Sequence, residues 1–175
     1  MNKGLIHIYC GDGKGKTSAA LGLAVRSAGS GYKVVIVRLM KDCNSGELNR
    51  LENIPEIRVI PAPEKLKFVF NMSEVERNQY KTRVLSMLDT AFELVKKQQV
   101  DVLIIDEACS AVSTGMLDLE TLTGFLKSKP ENLEVVMTGR NPSNELIETA
   151  DYVSEIKKVK HPFDRKLPPR RGIEF

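Results

Sequence analysis

A chain of 175 residues, 42% hydrophobic and 28% charged, is sized for one globular domain with a buried core, and this composition excludes a disordered or fibrous class. No apolar run approaches the ~18 residues a bilayer span needs, and no cleavage pattern follows the apolar N-terminal stretch, so neither a membrane segment nor a secretory leader is expected. The net charge of +3 is uneven: residues 157–175 hold seven Lys/Arg against two Asp/Glu, a local net of +5 on a body that sums to −2, which points to an anionic ligand near that tail.

Along the chain, Leu5–Tyr9 predicts a buried first strand. Lys16–Gly29 predicts a helix that stops near Gly29 and Gly31. Val34–Met40 predicts a strand covered on both faces, and Ile57–Ile60 a shorter one. Ser73 followed by Glu76 is a capping-box signature. Behind it Val84, Leu88, Ala91, Phe92 and Val95 recur at helical spacing to about Gln98. Val102–Asp106 predicts a strand, and Asp118–Lys127 a helix with Asp118 as N-cap, stopped before Pro130. Val135–Thr138 predicts a strand, Ser143–Thr149 a short helix and Tyr152–Ile156 the last strand. Beyond it Pro162, Pro168 and Pro169 predict loop without helix. No repeat or linker interrupts the pattern, so residues 1–175 are expected to form one domain ending in a basic tail over 157–175. The alternation predicts the α/β class: a mainly parallel sheet of about six strands with helices on both faces.

Ligands of such sheets bind outside the carboxyl ends of the strands. Polar clusters fall at that edge after nearly every strand: the glycine-rich loop, Lys41-Asp42, Asp106-Glu107, Thr138-Gly139-Arg140 and Lys160-His161. The loop Gly11, Asp12, Gly13, Lys14, Gly15, Lys16, Thr17, with Ser18 behind it, lies directly between a strand and a helix. Successive glycines let backbone N–H groups turn toward one anion, and the helix N-terminus adds its dipole. Lys16 would neutralise phosphate, and the Thr17 hydroxyl would bind Mg²⁺. Yet the spacing is one residue short: the glycine expected at position 10 is Cys10. Asp106 and Glu107, closing an apolar strand, are the expected partners that coordinate or orient the magnesium ion.

Other residues carry weaker signals. Arg26 on the first helix reads as an exposed helix charge, whereas Arg140 is placed to fork onto phosphate oxygens. His161 could be a ligand, a base or a bystander, and His7 inside the first strand reads as structural. Phe68 and Phe70 read either as core packing, which the pattern favours, or as an aromatic platform for a flat ligand. Cys10, Cys43 and Cys109 are scattered, which fits buried thiols in a reducing cytoplasm and neither a disulfide framework nor a zinc site.

Together these pieces resemble the P-loop-type ATP:corrinoid adenosyltransferases of the cobalamin pathway. The resemblance is carried by Gly11–Thr17 after a strand, Ala19-Ala20 and Arg26 on the next helix, Lys41, Asp106-Glu107 and Thr138-Gly139-Arg140. It continues through "ELIETADYVSEI", Lys160–Phe163 and Gly172–Phe175, so it spans essentially the whole chain. It implies a P-loop NTPase-like, RecA-like domain that holds Mg-ATP in a reversed sense, with the ribose C5′ facing a reduced corrinoid such as cobalamin, cobinamide or cobyrinic acid diamide. Co(I) is then the nucleophile, tripolyphosphate leaves, and Lys14 and Lys16 stabilise the departing charge. Gly11–Ser18, Arg26 and Arg140 are implied for the nucleotide, Thr17, Asp106 and Glu107 for the metal, and Phe68, Phe70 and His161 for the corrinoid. A homodimer, a reducing protein such as a flavodoxin, and no nucleic acid or membrane partner are also implied. The chain departs from the family at Phe70, where well-known relatives have tryptophan, and in the tail "DRKLPPRRGIEF", and it is expected to lack the N-terminal extension with which many relatives cover the partner subunit's site. Two other readings compete: an ordinary P-loop ATPase or small-molecule kinase, which would want the full-length loop, and a non-catalytic nucleotide- or nucleic-acid-binding protein, whose tail would want interleaved aromatics.

Overall fold

The computed structural model describes residues 2–41, 46–63, 67 and 69–173. Its centre is a parallel sheet of β1 (Ile6–Cys10), β2 (Val34–Arg38), β3 (Ile57–Val59), β4 (Val102–Asp106), β5 (Glu134–Thr138) and β6 (Tyr152–Glu155). The strands lie in the order β3-β2-β4-β5-β1-β6. All the predicted strands are present, β4 with the predicted bounds and the others with ends moved by one or two residues. β2 stops at Arg38, and Leu39 and Met40 turn away from it.

The strand order sorts the helices. From β1 the chain moves outward to β2 and β3 through α1 (Lys16–Gly29) and the short α2 (Leu48–Leu51). It then returns the other way through α3 (Glu74–Lys96), α4 (Ala108–Ser113), α5 (Leu119–Ser128) and α6 (Asn144–Thr149). Parallel crossovers are right-handed, so reversing direction changes the face on which the helices pack. The burial follows the period of two. Val34, Ile36, Val102, Ile104 and Val136 meet Ala20, Ala24 and Ala28 of α1. Val35, Val37, Leu103, Ile105, Val135 and Met137 meet Val84, Leu88, Ala91 and Val95 of α3 and Leu122 and Leu126 of α5. The small alanines bring α1, and with it the loop at its N-terminus, close to the sheet.

α3 starts on the capping box its sequence predicts. The Glu76 amide donates to Ser73 Oγ at 3.3 Å, and the Ser73 amide donates to the Glu76 carboxylate at 2.9 Å. The Lys67 ammonium and these Ser73 contacts pull the Glu76 carboxyl down to about 2. Ser73→Ala is expected to lower stability by about 1 kcal/mol, read as a fall of about 2–4 °C in Tm. Asp118 sits at the N-cap of α5 with extended backbone, but its side chain makes no capping bond.

Two expectations change. α2 and α4 are too short to show a helical period in sequence. The tail is not wholly loop either: Pro162–Arg165 forms a 3-10 turn. Pro162 opens that turn, where its missing N–H costs nothing, and His161 Nδ1 caps it by accepting from the Phe163 amide at 3.1 Å.

Candidate active site

At the carboxyl edge the chain leaves β1 toward the α1 face and leaves the neighbouring β5 toward the opposite face. A crevice opens at such a divergence. Here it is a groove of about 1470 Å³, walled by residues 12–18, Arg38, Lys41, Glu107, Arg140 and the tail from His161 to Ile173.

The loop follows β1 without a gap because β1 runs one residue further than predicted. Cys10 is a buried strand residue paired with Glu155. That explains the missing first glycine: the turn begins at Gly11, with φ +103°, and ends at Gly15, with φ +119°. Gly11 and Gly13 press against the exit of β6, where a Cβ would lie 2.4 and 2.7 Å from the Ile156 carbonyl oxygen. The Gly13 amide donates to that same carbonyl at 2.8 Å. The Lys158 amide donates to Asp12 Oδ1 at 2.9 Å, and this bond holds the Asp12 carboxyl below its usual range. Lys14 and Ser18 are exposed on the groove wall. Lys16 is 9% exposed, and its ammonium folds back to donate to the Gly13 carbonyl at 2.7 Å. Burial, helped by nearby Arg140, pushes the Lys16 pKa down.

Beneath the loop, Asp106 gathers the ends of β2, β4 and β5. Its Oδ1 accepts from Thr17 Oγ1 at 2.9 Å and from Thr138 Oγ1 at 2.6 Å. Lys41 Nζ lies 3.0 Å from Oδ2 and donates to Thr17 Oγ1 at 2.6 Å. Arg38 Nε is 3.9 Å from Oδ2, and Arg38 Nη2 is 3.9 Å from Glu47 Oε1. Asp106 is 1% exposed and Arg38 2%. Arg38 Nε, Arg38 Nη1 and Asp106 Oδ2 have no hydrogen-bond partner among the described residues, so charge rather than hydrogen bonding compensates this pair.

Glu107 takes φ +63°, a conformation a non-glycine residue holds only where its surroundings enforce it. Its amide donates to Thr138 Oγ1 at 2.9 Å, and its carboxylate accepts from Ser110 Oγ at 2.5 Å. Ser110 Oγ in turn accepts from the Arg140 amide at 2.9 Å. Gly139, at φ +139°, lies so close to α4 that a Cβ would be 2.6 Å from the Ser110 amide nitrogen. These contacts seat Arg140 at the groove rim.

The donors fit a small divalent cation. Thr17 Oγ1 and the Asp106 carboxylate are hard oxygens that already hold a cationic group, the Lys41 ammonium. No cluster of three or more His, Cys, Asp or Glu able to hold a metal occurs among the described residues. An ion here would therefore draw further ligands from phosphates and water, as Mg²⁺ usually does.

Arg26 is not brought to this groove; it is exposed in the last turn of α1. Phe70 is 80% exposed and outside the groove wall, to which Lys67 and Val69 contribute. Phe68, Asp42 and Cys43 lie outside the described residues. Cys10 and Cys109 are buried free thiols, and burial pushes Cys109 up to about 12. Arg38 is the site residue that sequence reasoning missed. The signal was one charge at the end of a strand that is otherwise apolar and covered on both faces.

Among known proteins, a family model described as ATP:corrinoid adenosyltransferase BtuR/CobO/CobP matches residues 2–175. The chain is 31% identical to the corrinoid adenosyltransferase of Escherichia coli, over 99% of this chain and 86% of that one. It is 30% identical to those of Salmonella typhimurium and Pseudomonas aeruginosa, again over 99% of this chain, and over 86% and 84% of theirs. A solved KaiC-like protein from Pyrococcus horikoshii superposes with a TM-score of 0.56 at 18% identity, over 91% of this chain and 75% of that one. This last likeness is one of fold.

Proposed function

The chain belongs to the ATP:corrinoid adenosyltransferases, enzymes that adenosylate corrinoids with ATP, and from that premise we propose how its groove divides the work. The observation that carries the proposal is the groove itself. Its volume of about 1470 Å³ exceeds the roughly 300–1,000 Å³ typical of a small-ligand pocket. The phosphate-binding loop forms one wall and the basic tail another, which suits two substrates meeting face to face.

In this reading the triphosphate of ATP lies on the amides of Gly11–Thr17 and on the N-terminus of α1. Lys16 exchanges the Gly13 carbonyl for phosphate, while Lys14, Ser18 and Arg140 close on it from the rim. Thr17, Asp106 and Glu107 would hold Mg²⁺, which supplies charge neutralisation to the phosphates. The ribose C5′ faces the corrinoid. The Co(I) electron pair forms the Co–C5′ bond as the C5′–O bond breaks, and tripolyphosphate leaves with that bond's electrons. No side chain need act as nucleophile, and the buried, protonated Cys10 and Cys109 thiols agree with that. The protein positions the substrates, stabilises the leaving charge and excludes water. The tail, with His161 and Phe163, together with Phe68 and the exposed Phe70 beside the groove residue Val69, is assigned to the corrinoid: cobalamin, cobinamide or cobyrinic acid diamide. A homodimer, a flavodoxin-type reductant and a cytoplasmic setting complete the proposal. No described helix is long and apolar enough to cross a membrane.

The test is anaerobic. The protein, Mg-ATP and chemically reduced cobalamin are mixed, Co(I) absorbance is followed, and the phosphate product is identified. A light-sensitive alkylcorrinoid with tripolyphosphate is expected. ADP and phosphate with unchanged corrinoid would point instead to an ATPase or kinase.

A further inference from the structure

We propose that Lys41 is a tethered stand-in for the divalent cation: its ammonium occupies the metal's place while the loop is empty and must vacate it before the metal can bind. The inference rests on the reading of Thr17 and Asp106 as the metal-holding pair.

The Thr17 hydroxyl has one proton, and it donates that proton to Asp106 Oδ1 at 2.9 Å. Its accepting side faces Lys41 Nζ at 2.6 Å. The oxygen has two lone pairs, but both lie on that side, so a metal ion bound there would sit at contact distance from the ammonium. Thr17 can therefore keep its bond to Asp106 while it exchanges one cation for the other, but both cations cannot occupy the position together. The second contact of Lys41, 3.0 Å to Asp106 Oδ2, leads to the same conclusion, because Oδ2 is the oxygen that no hydroxyl engages.

Charge balance gives the arrangement a purpose. With Lys41 absent and no metal bound, the carboxylate of Asp106, 1% exposed, would keep its two hydroxyl bonds but, among the described residues, have as its cationic partner only Arg38 Nε at 3.9 Å. A buried carboxylate this poorly compensated is costly. With Lys41 and a divalent ion both present, like charges would repel at contact distance. Exchange avoids both states. Lys41 is suited to moving: its side chain is 30% exposed, its stem is flexible, and it lines the groove. On leaving, its ammonium stays in the groove where the polyphosphate would lie, so the arriving metal releases a second cation toward the substrate. Arg38, 2% exposed between Asp106 and Glu47, is the charge that stays with Asp106 throughout.

The probe is Mn²⁺ alone with nucleotide-free protein, and the free ion is counted by its electron paramagnetic resonance signal. Lys41→Met is expected to bind Mn²⁺ at least about tenfold more tightly than the unaltered protein, and Lys41→Arg to stay as weak as the unaltered protein. Without metal, Lys41→Met should melt at a lower temperature, and Mn²⁺ should raise its Tm by more than it raises that of the unaltered chain. Equal or weaker Mn²⁺ affinity in Lys41→Met overturns the inference and leaves the transferase reading intact. No Mn²⁺ binding by any variant overturns it together with the metal assignment. Should Lys41→Met fail to fold, the unaltered protein decides the question through the ¹H–¹⁵N signal of its Lys41 ammonium, identified by its loss in Lys41→Arg. Saturating Mg²⁺ should abolish the slow proton exchange of that group, and persistence of slow exchange in the metal-bound protein overturns the inference.

Discussion

Asp106→Ala is expected to destabilise the protein by about 3–5 kcal/mol, the range for breaking one side of a buried ion pair, and to abolish transfer. The substitution removes the acceptor shared by Thr17 and Thr138. It also leaves the Arg38 guanidinium, 2% exposed, with Glu47 at 3.9 Å as its remaining ion-pair partner among the described residues. Most of the loss should come from that stranded cation, and this can be separated from the rest. Asp106→Leu combined with Arg38→Leu removes both charges and should recover much of the stability without recovering activity. Urea unfolding of the single and double variants measures the first effect, and the anaerobic assay measures the second. A loss below about 1 kcal/mol for Asp106→Ala would mean that the pair contributes little at this edge.

Lys16→Met is the second large effect, and it should act on catalysis far more than on stability. Lys16 is assigned to the triphosphate as it departs, when negative charge on the leaving oxygen is growing. Removing one such stabiliser typically costs about 10²–10³-fold in kcat. The loss should appear in kcat and kcat/KM together, because the interaction strengthens in the transition state. Lys14→Met should lose far less, since Lys14 is exposed and its charge is screened. An unchanged kcat with raised KM would reduce Lys16 to a binding group. Folding, by contrast, should tolerate the change, because burial disfavours the Lys16 charge. Its folded pKa is depressed, so at alkaline pH the unfolded chain binds the extra proton and stability rises with pH through that window. Lys16→Met should lose that rise, which thermal melts across alkaline pH will show.

The parts of this architecture that are legible in the sequence are those set by local pattern. β2, β4 and β5 are covered on both faces, so their apolar runs show against the polar turns around them. α3 shows its start because the capping box is a local chemical signature, and its buried face because the helix is long. The glycine-rich loop over residues 11–17 is visible for the same local reason. What tertiary contact decides was hidden. Whether β1 ends at Tyr9 or Cys10 depends on the pairing of Cys10 with Glu155, and the short loop spacing is a consequence of that pairing. Arg38 reads as a strand residue until Asp106 and Glu47 are brought to either side of it. Arg26 matches a family position, yet α1 carries it to its far end, where it is exposed. α4 depends on Glu107 holding a left-handed turn, which no propensity favours.

The two reciprocal bonds between the loop and the exit of β6, Gly13 to Ile156 and Asp12 to Lys158, make two distant stretches of chain one mechanical unit. Neither can open alone, so the Gly13 and Lys158 amides should exchange with deuterium at a common rate, as members of one cooperative opening. Mutational change in the tail is then inherited by the nucleotide side of the groove even where it touches no nucleotide. If the tail meets the corrinoid as proposed, selection there would retune how firmly ATP is held.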